Sequence, residues 1–258
     1  MKTIKFKKGM FLKSKKEMKE KKFTKGTIVK GKELKGCSLC MVLPEDMTVQ
    51  GFQYKIGINE DTVSFAGTGS CIPSLNFYMV QNIGIYLDSG TKLAIVGIPD
   101  KEEVCVDHGK FRTHRLEIKE VMPFSEMGTW EYLLGYGADI RGCNDHAVRY
   151  AAENGYLEMV KYLHKNGADI MAANNLAVRT AARNGHLETV RYLCENGADI
   201  TAVDNHAVRW AAWKGHLEVV KYLHENGADI TECNNEAVRW AAENGHLDVV
   251  EYLKANMQ

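Results

Sequence analysis

The chain has 258 residues, 33 Lys and Arg against 33 Asp and Glu, and 45% hydrophobic residues, enough for the core of one or two domains. Its start lacks the apolar run of a signal peptide, and it has no stretch of about 18 apolar residues to span a bilayer. The expectation is a soluble, intracellular protein, cytoplasmic or nuclear, with no membrane partner. Seven Cys without a framework spacing fit a reducing compartment.

The zero net charge is unevenly distributed. Residues 1–35 hold fourteen Lys against three Glu, residues 37–127 come to minus five, and the remainder to minus six. Residues 1–36 therefore read as a basic N-terminal arm. The clusters Lys13-Ser14-Lys15-Lys16 and Lys19 to Lys22 suit a nucleic-acid contact, an acidic partner or a nuclear-import signal. A solvated, disordered tail is the competing reading, favoured because no Arg or regular aromatic row is interleaved with the lysines.

From Cys37 the composition becomes that of a folded domain. Leu39–Leu43, Asn76–Val80, Leu93–Val96 and Val104–Val106 are short apolar runs bounded by Pro, Gly or charged residues, and read as strands. Arg115 to Val121 alternates and predicts a half-exposed strand; residues 81–89 predict a short helix. The expected unit is a small α+β module over 37–123.

Within it, Cys37-Ser-Leu-Cys40 and Cys105-Val-Asp-His108 have the donors of a tetrahedral zinc site. The 64 residues between them weaken that signal, and Cys40 sits inside an apolar run, where a free Cys acts as a small core residue. Asp88, Asp107, His108 and His114 could be drawn together for catalysis, as polar loop residues can in most domains. No nucleophile elbow, phosphate loop, dinucleotide turn or metalloprotease helix is present. Neither catalysis nor a cofactor or metal is expected.

The second half is periodic. Gly-Ala-Asp-Ile returns at 137–140, 167–170, 197–200 and 227–230, a period of 30 residues. Each copy carries Ala-Val-Arg, one variable residue and Ala-Ala, then a Gly, then Leu-x-x-Val-x-Tyr-Leu or a close variant. Val148, Ala151 and Ala152 make one helical stripe; Leu157, Val160 and Leu163 make another. Gly155, Gly167 and their counterparts stand where left-handed helix ends are expected. Asn or Asp at 144, 145, 174, 175, 204, 205, 234 and 235 stands where helix N-caps are expected. One helix pair cannot bury its stripe alone, so the copies must stack.

Gly-Ala-Asp-Ile, Ala-Ala-x-x-Gly-His-Leu-Glu-x-Val (clearest at 211–220) and the following Tyr-Leu resemble the ankyrin repeat, over about residues 128–258. The resemblance implies an all-α solenoid over 124–258, a half repeat followed by four helix pairs, with a shortened finger because the family period is about 33. Where the family has Thr-Pro-Leu-His this chain has x-Ala-Val-Arg. Residues 39–122, through Gly51-Phe52-Gln53-Tyr54-Lys55-x-Gly57-x-Asn59-x-Asp61, Phe65, Cys71 and Ile98-Pro99-Asp100, resemble the N-terminal module of ankyrin-repeat proteins of large DNA viruses. The fold class is α+β: an α+β module followed by an ankyrin-type solenoid.

His186, His216 and His246 recur before the second helix, with Tyr156 in their place in the first copy, which argues for turn packing rather than metal binding. Arg149, Arg179, Arg209 and Arg239 form a column expected to tie turn carbonyls or a repeat Asp such as Asp169, the alternative being an anion stripe. The resemblance implies that the residues flanking Ala-Ala line a concave groove. There the copies differ most, and Tyr150, Thr180, Arg183, Trp210, Trp213, Lys214 and Trp240 are the candidate partner-binding residues. Trp213, beside Lys214 and the turn, is expected to be exposed.

The functional expectation is a protein–protein interaction scaffold, a monomer or weak oligomer, binding a host or viral protein. The alternatives are a substrate adaptor for a larger enzyme complex such as a ubiquitin ligase, and a nucleic-acid contact through the Lys-rich arm.

Overall fold

The computed structural model describes residues 25–61, 75–107 and 110–257. Both lysine clusters of the arm, Phe65, Cys71 and His108 lie outside these residues. The chain divides into two compact units, Met1–Asp139 and Ile140–Gln258.

The first unit is built on an antiparallel sheet. Its strands are β1 (Ile28–Lys30), β2 (Leu39–Leu43), β5 (Gly57–Glu60), β6 (Leu75–Met79), β7 (Lys92–Gly97), β8 (Glu103–Asp107), β9 (Lys110–Thr113) and β10 (Arg115–Pro123), in the order β1-β8-β9-β6-β2-β7-β10-β5. A hairpin of β3 (Thr48–Val49) and β4 (Phe52–Gln53) lies apart from it. The uninterrupted apolar run of β2 is buried along its whole length, as expected of a central strand covered on both faces. Leu39, Met41 and Leu43 enter a core with Leu75, Phe77, Val104, Phe111, Leu116 and Ile118. The alternate residues Cys40 and Val42 are buried on the opposite face.

Three expectations are refined in this unit. The arm does not extend to residue 36: Ile28–Lys30 pairs with Glu103–Cys105, and Leu34 is buried. Residues 81–89, read as one short helix, form two short 3-10 helices, Val80–Ile85 and Leu87–Ser89. The alternation of β10 is shifted by a bulge between Ile118 and Glu120, so that Val121 rather than Glu120 packs against the core. Two strands, β5 and β9, had no apolar run to announce them.

Helix α1 (Met127–Gly135), expected as the half repeat, belongs to this unit. Trp130 is buried, its indole donating to Phe124 O at 2.8 Å, and Thr129 Oγ1 donates to Pro123 O at 2.6 Å.

The second unit consists of the pairs α2 (Gly142–Glu153) and α3 (Leu157–Lys165), α4 (Ala172–Arg183) and α5 (Leu187–Glu195), α6 (Ala202–Trp213) and α7 (Leu217–Glu225), and α8 (Glu232–Glu243) and α9 (Leu247–Asn256). First helices pack on first helices and second on second. Val148, Ala151 and Ala152 have no exposed surface, and the alanines leave no bulk between neighbouring first helices. The second-helix stripe is shifted from expectation: Met159, Val160 and Leu163 are buried, whereas Leu157 is half-buried and its counterpart Leu247 exposed.

The paired Asn and Asp residues are not N-caps. Cys143, Asn144 and Asp145 all have left-handed backbone, φ 57°, 58° and 55°, as do their counterparts in the other three copies. Short amide and carboxylate side chains tolerate that region better than others. The last of the three also links repeats: Asp145, Asn175 and Asn205 each accept, through Oδ1, the backbone N–H of Asp169, Asp199 and Asp229 at 2.8, 2.9 and 2.8 Å.

Candidate functional site

The Arg column secures these left-handed turns. Arg149 donates from Nε to Asn144 O at 2.9 Å and from Nη2 to Cys143 O at 2.7 Å; Arg209 donates to Val203 O at 3.0 Å. The guanidinium fork thus satisfies carbonyls that a left-handed segment turns away from any ladder. Asp169 is not its partner. The residue preceding Ala-Val-Arg in the next copy adds a contact: Arg179 donates to His206 Nδ1 at 2.9 Å, and Arg209 ion-pairs with Glu236. Sequence reasoning left that variable position unassigned, and its only signal is its polarity in three of four copies.

The His column packs turns. His186 Nε2 bonds Glu153 O and His246 Nε2 bonds Trp213 O, both at 3.0 Å, so each ring reaches back to the helix end of the preceding copy.

His206 lies between two guanidiniums. Burial first, then Arg179 and Arg209, push its pKa down from 6.5 to about 4, against a weaker upward pull from Glu236 and Asp204. A depressed folded pKa means that the neutral form is favoured by folding, so its contribution is complete above pH 6.5 and is lost as pH falls toward about 4. Acid titration of urea unfolding is expected to show wild type losing more stability across that window than His206→Gln; parallel curves would contradict the assignment.

The candidate partner residues separate into two groups. Tyr150 and Thr180 are 7% and 6% exposed and offer no surface, which corrects their assignment. Thr180 Oγ1 donates to Leu176 O at 2.9 Å within its own helix, and the Tyr150 ring meets Tyr156 edge-on. Trp210, Trp213 and Trp240 remain half-buried, and Lys214 is exposed. Rings of that size cannot be covered by the alanines beside them.

Cations hold these rings. Trp210 has Arg183 Cζ at 5.2 Å and Arg179 Cζ at 5.4 Å from its centroid, with the His206 ring 3.9 Å away. Arg209 stands 5.7 Å from the Trp240 centroid, and Lys214 Nζ 4.1 Å from that of Trp213. Arg183 also ion-pairs with Glu153 at 2.7 Å. The Arg and Lys contacts with the indoles are of cation–π kind and fix ring orientation at the cost of little burial.

Of the zinc donors, His108 lies outside the described residues and two of the cysteines are committed elsewhere. Cys40 is fully buried in β2, where burial pushes its thiol far up, and Cys105 is disulfide-bonded and has no thiolate to give. Among the described residues no group of three or more His, Cys, Asp or Glu could hold a metal. A cleft of about 290 Å³ in the first unit is lined by residues including Leu34, Lys35, Cys37, Asp100 and Lys119; Lys35 and Asp100 are ion-paired at 2.7 Å. Asp107, considered for catalysis, ion-pairs with Arg112 at 3.1 Å.

Stacked helix pairs with a 30-residue period and left-handed turns define a helical-repeat protein. Family models described as "Ankyrin repeats (3 copies)" and "Ankyrin repeats (many copies)" match residues 125–204 and 208–253. The chain belongs to the ankyrin-repeat family, whose repeats are generally protein–protein interaction modules.

It is similar to three proteins of Acanthamoeba polyphaga mimivirus. "Putative ankyrin repeat protein R229" is 31% identical over 118 residues, 42% of this chain and 38% of that protein. "Putative ankyrin repeat protein R896" is 35% identical over 132 residues, 48% of this chain and 40% of that one. "Uncharacterized protein R869" is 31% identical over 124 residues, 43% of this chain and 86% of that one. The chain thus spans about two fifths of the length of the first two relatives. The relatives fit the large-DNA-virus resemblance of the sequence. Among the described residues no helix is long and apolar enough to cross a membrane.

Proposed function

We propose that this chain is an interaction scaffold that binds a protein partner through the first-helix face of its repeats, with Trp210, Trp213, Trp240, Arg183 and Lys214 as the contact residues. The observation that carries this reading is that three indoles stay half-exposed on α6 and α8 while the residues equivalent to Trp210 in earlier copies, Tyr150 and Thr180, are buried. Large rings oriented by cations on a rigid helix row bury much area at small entropic cost, and Trp and Arg dominate interface hot spots.

Trp213→Ala is expected to weaken the partner by roughly 1–3 kcal/mol. Removal of Trp213 leaves its backbone carbonyl, the His246 acceptor, in place, so folding should be retained. Pull-down with wild type beside a Trp210, Trp213 and Trp240 triple alanine variant, with quantitation of the recovered partner by calorimetry, is the test. Equal recovery by the triple variant rules this face out.

A further inference from the structure

Charge on the first-helix face is concentrated in its middle. Arg183 and Arg209 are met by Glu153 and Glu236 of neighbouring copies. Arg179 is not met by a carboxylate among the described residues: it donates to Asn174 O at 3.3 Å and to the neutral His206 ring, and its buried Nε has no partner. Lys214 rests over Trp213. Burial first, then Arg179 and Arg209, disfavour a proton on His206 against a weaker pull from Glu236 and Asp204, and burial followed by Arg209 lowers the pKa of Arg179. Covering two uncompensated cations with a neutral surface is costly, and a partner carboxylate would remove that cost.

Beside this patch Val203 is held at φ 58° and ψ 55° with 43% of its surface exposed. The equivalent residues Cys143, Ala173 and Cys233 share the conformation, but a β-branched side chain fits it worst. An exposed apolar group in a conformation that Gly or Asn would adopt more easily stabilises nothing within the fold. Its carbonyl is held by Arg209, which lies against Trp240, so Val203 is continuous with the aromatic row.

We propose, resting on the protein-partner reading above, that the segment this face takes up is an acidic peptide with apolar side chains. Its carboxylates meet Arg179 and Lys214, and its apolar groups meet Trp213, Trp240 and Val203. A nucleic-acid strand fits less well: Glu153, Asp204 and Glu243 stand among the cations of this helix row and interrupt the run of positive charge that a continuous phosphate backbone needs.

The test is selection of a random 12-residue peptide library, displayed on phage, against the full chain. Fluorescence anisotropy then follows with synthetic peptides from the selected pool and, separately, a 20-nucleotide oligo-dT. Selected peptides should be enriched in Asp and Glu with aromatic or Leu residues. Their affinity should fall at least tenfold in Arg179→Gln/Lys214→Gln, and fall with added salt. Val203→Gly relieves strain and so cannot fail through unfolding: its Tm should rise while peptide affinity drops.

Peptides that need Trp213 and Trp240 but show no acidic enrichment would overturn this inference and leave the protein-partner reading standing. Selection of no peptide, or binding indifferent to Trp213→Ala and Trp240→Ala, would remove both. Oligo-dT binding tighter than every selected peptide would replace the peptide with a nucleic acid. An unchanged affinity in Val203→Gly would take Val203 out of the contact.

Discussion

Gly185→Ala is expected to destabilise the repeat unit by about 2–5 kcal/mol, and Gly245→Ala by only about 1–2 kcal/mol. The two glycines share a backbone conformation, both at φ 78°. Each closes its helix in the same way: Gly185 N donates to Ala182 O at 3.2 Å and His186 N to Ala181 O at 3.0 Å, matched by Gly245 to Ala242 and His246 to Ala241. The left-handed cost of a β-carbon is therefore common to both. What differs is the neighbour. A β-carbon on Gly185 would lie 2.6 Å from Nδ1 of His216, whereas one on Gly245 would meet nothing within 4 Å. His216 is half-buried at that junction, so its ring has little room to yield. The extra 1–3 kcal/mol is the overpacking of that junction. Urea unfolding of the two variants measures it, and equal losses would show that the imidazole is not a packing element.

This pair also marks what the sequence made legible. The 30-residue period, the Ala-Ala stripe and the turn glycines follow from local pattern, because a helix pair must bury one face and end where Gly permits. The His column was legible as turn packing from Tyr156 alone, which could not replace a metal ligand but can replace a ring. Which ring stays exposed was not legible: Tyr150 and Thr180 occupy the same repeat position as Trp210 and Trp240, and only the neighbouring side chains decide that the first two are covered. The left-handed triplet was misread for a related reason. Asn and Asp favour both N-caps and left-handed turns, and the inter-repeat bond that three of the four copies make is one that no single copy contains. In the first unit, β5 and β9 were invisible because short polar strands owe their place to the partners they pair with rather than to their own apolar pattern.

That inter-repeat bond should be the weak link of the stack when removed. Asn205 has φ 55°, is 6% exposed and accepts the Asp229 N–H at 2.8 Å. Asn205→Ala deletes the acceptor and keeps the left-handed backbone, at a combined cost of roughly 2–3 kcal/mol. Asn205→Asp should cost less than about 1 kcal/mol, because Asp145 makes the equivalent bond to Asp169 at 2.8 Å in the first copy. In a linear stack each copy is held by its neighbours, so the loss falls on one junction. Hydrogen exchange is the direct readout: in Asn205→Ala the Asp229 amide should lose protection together with α8 and α9, while α2 to α5 keep theirs, and Asn205→Asp should follow wild type. If protection in α8 and α9 were unchanged in the alanine variant, the junction would be held by helix packing alone, and the Asn column would be a requirement of the turn rather than of the stack.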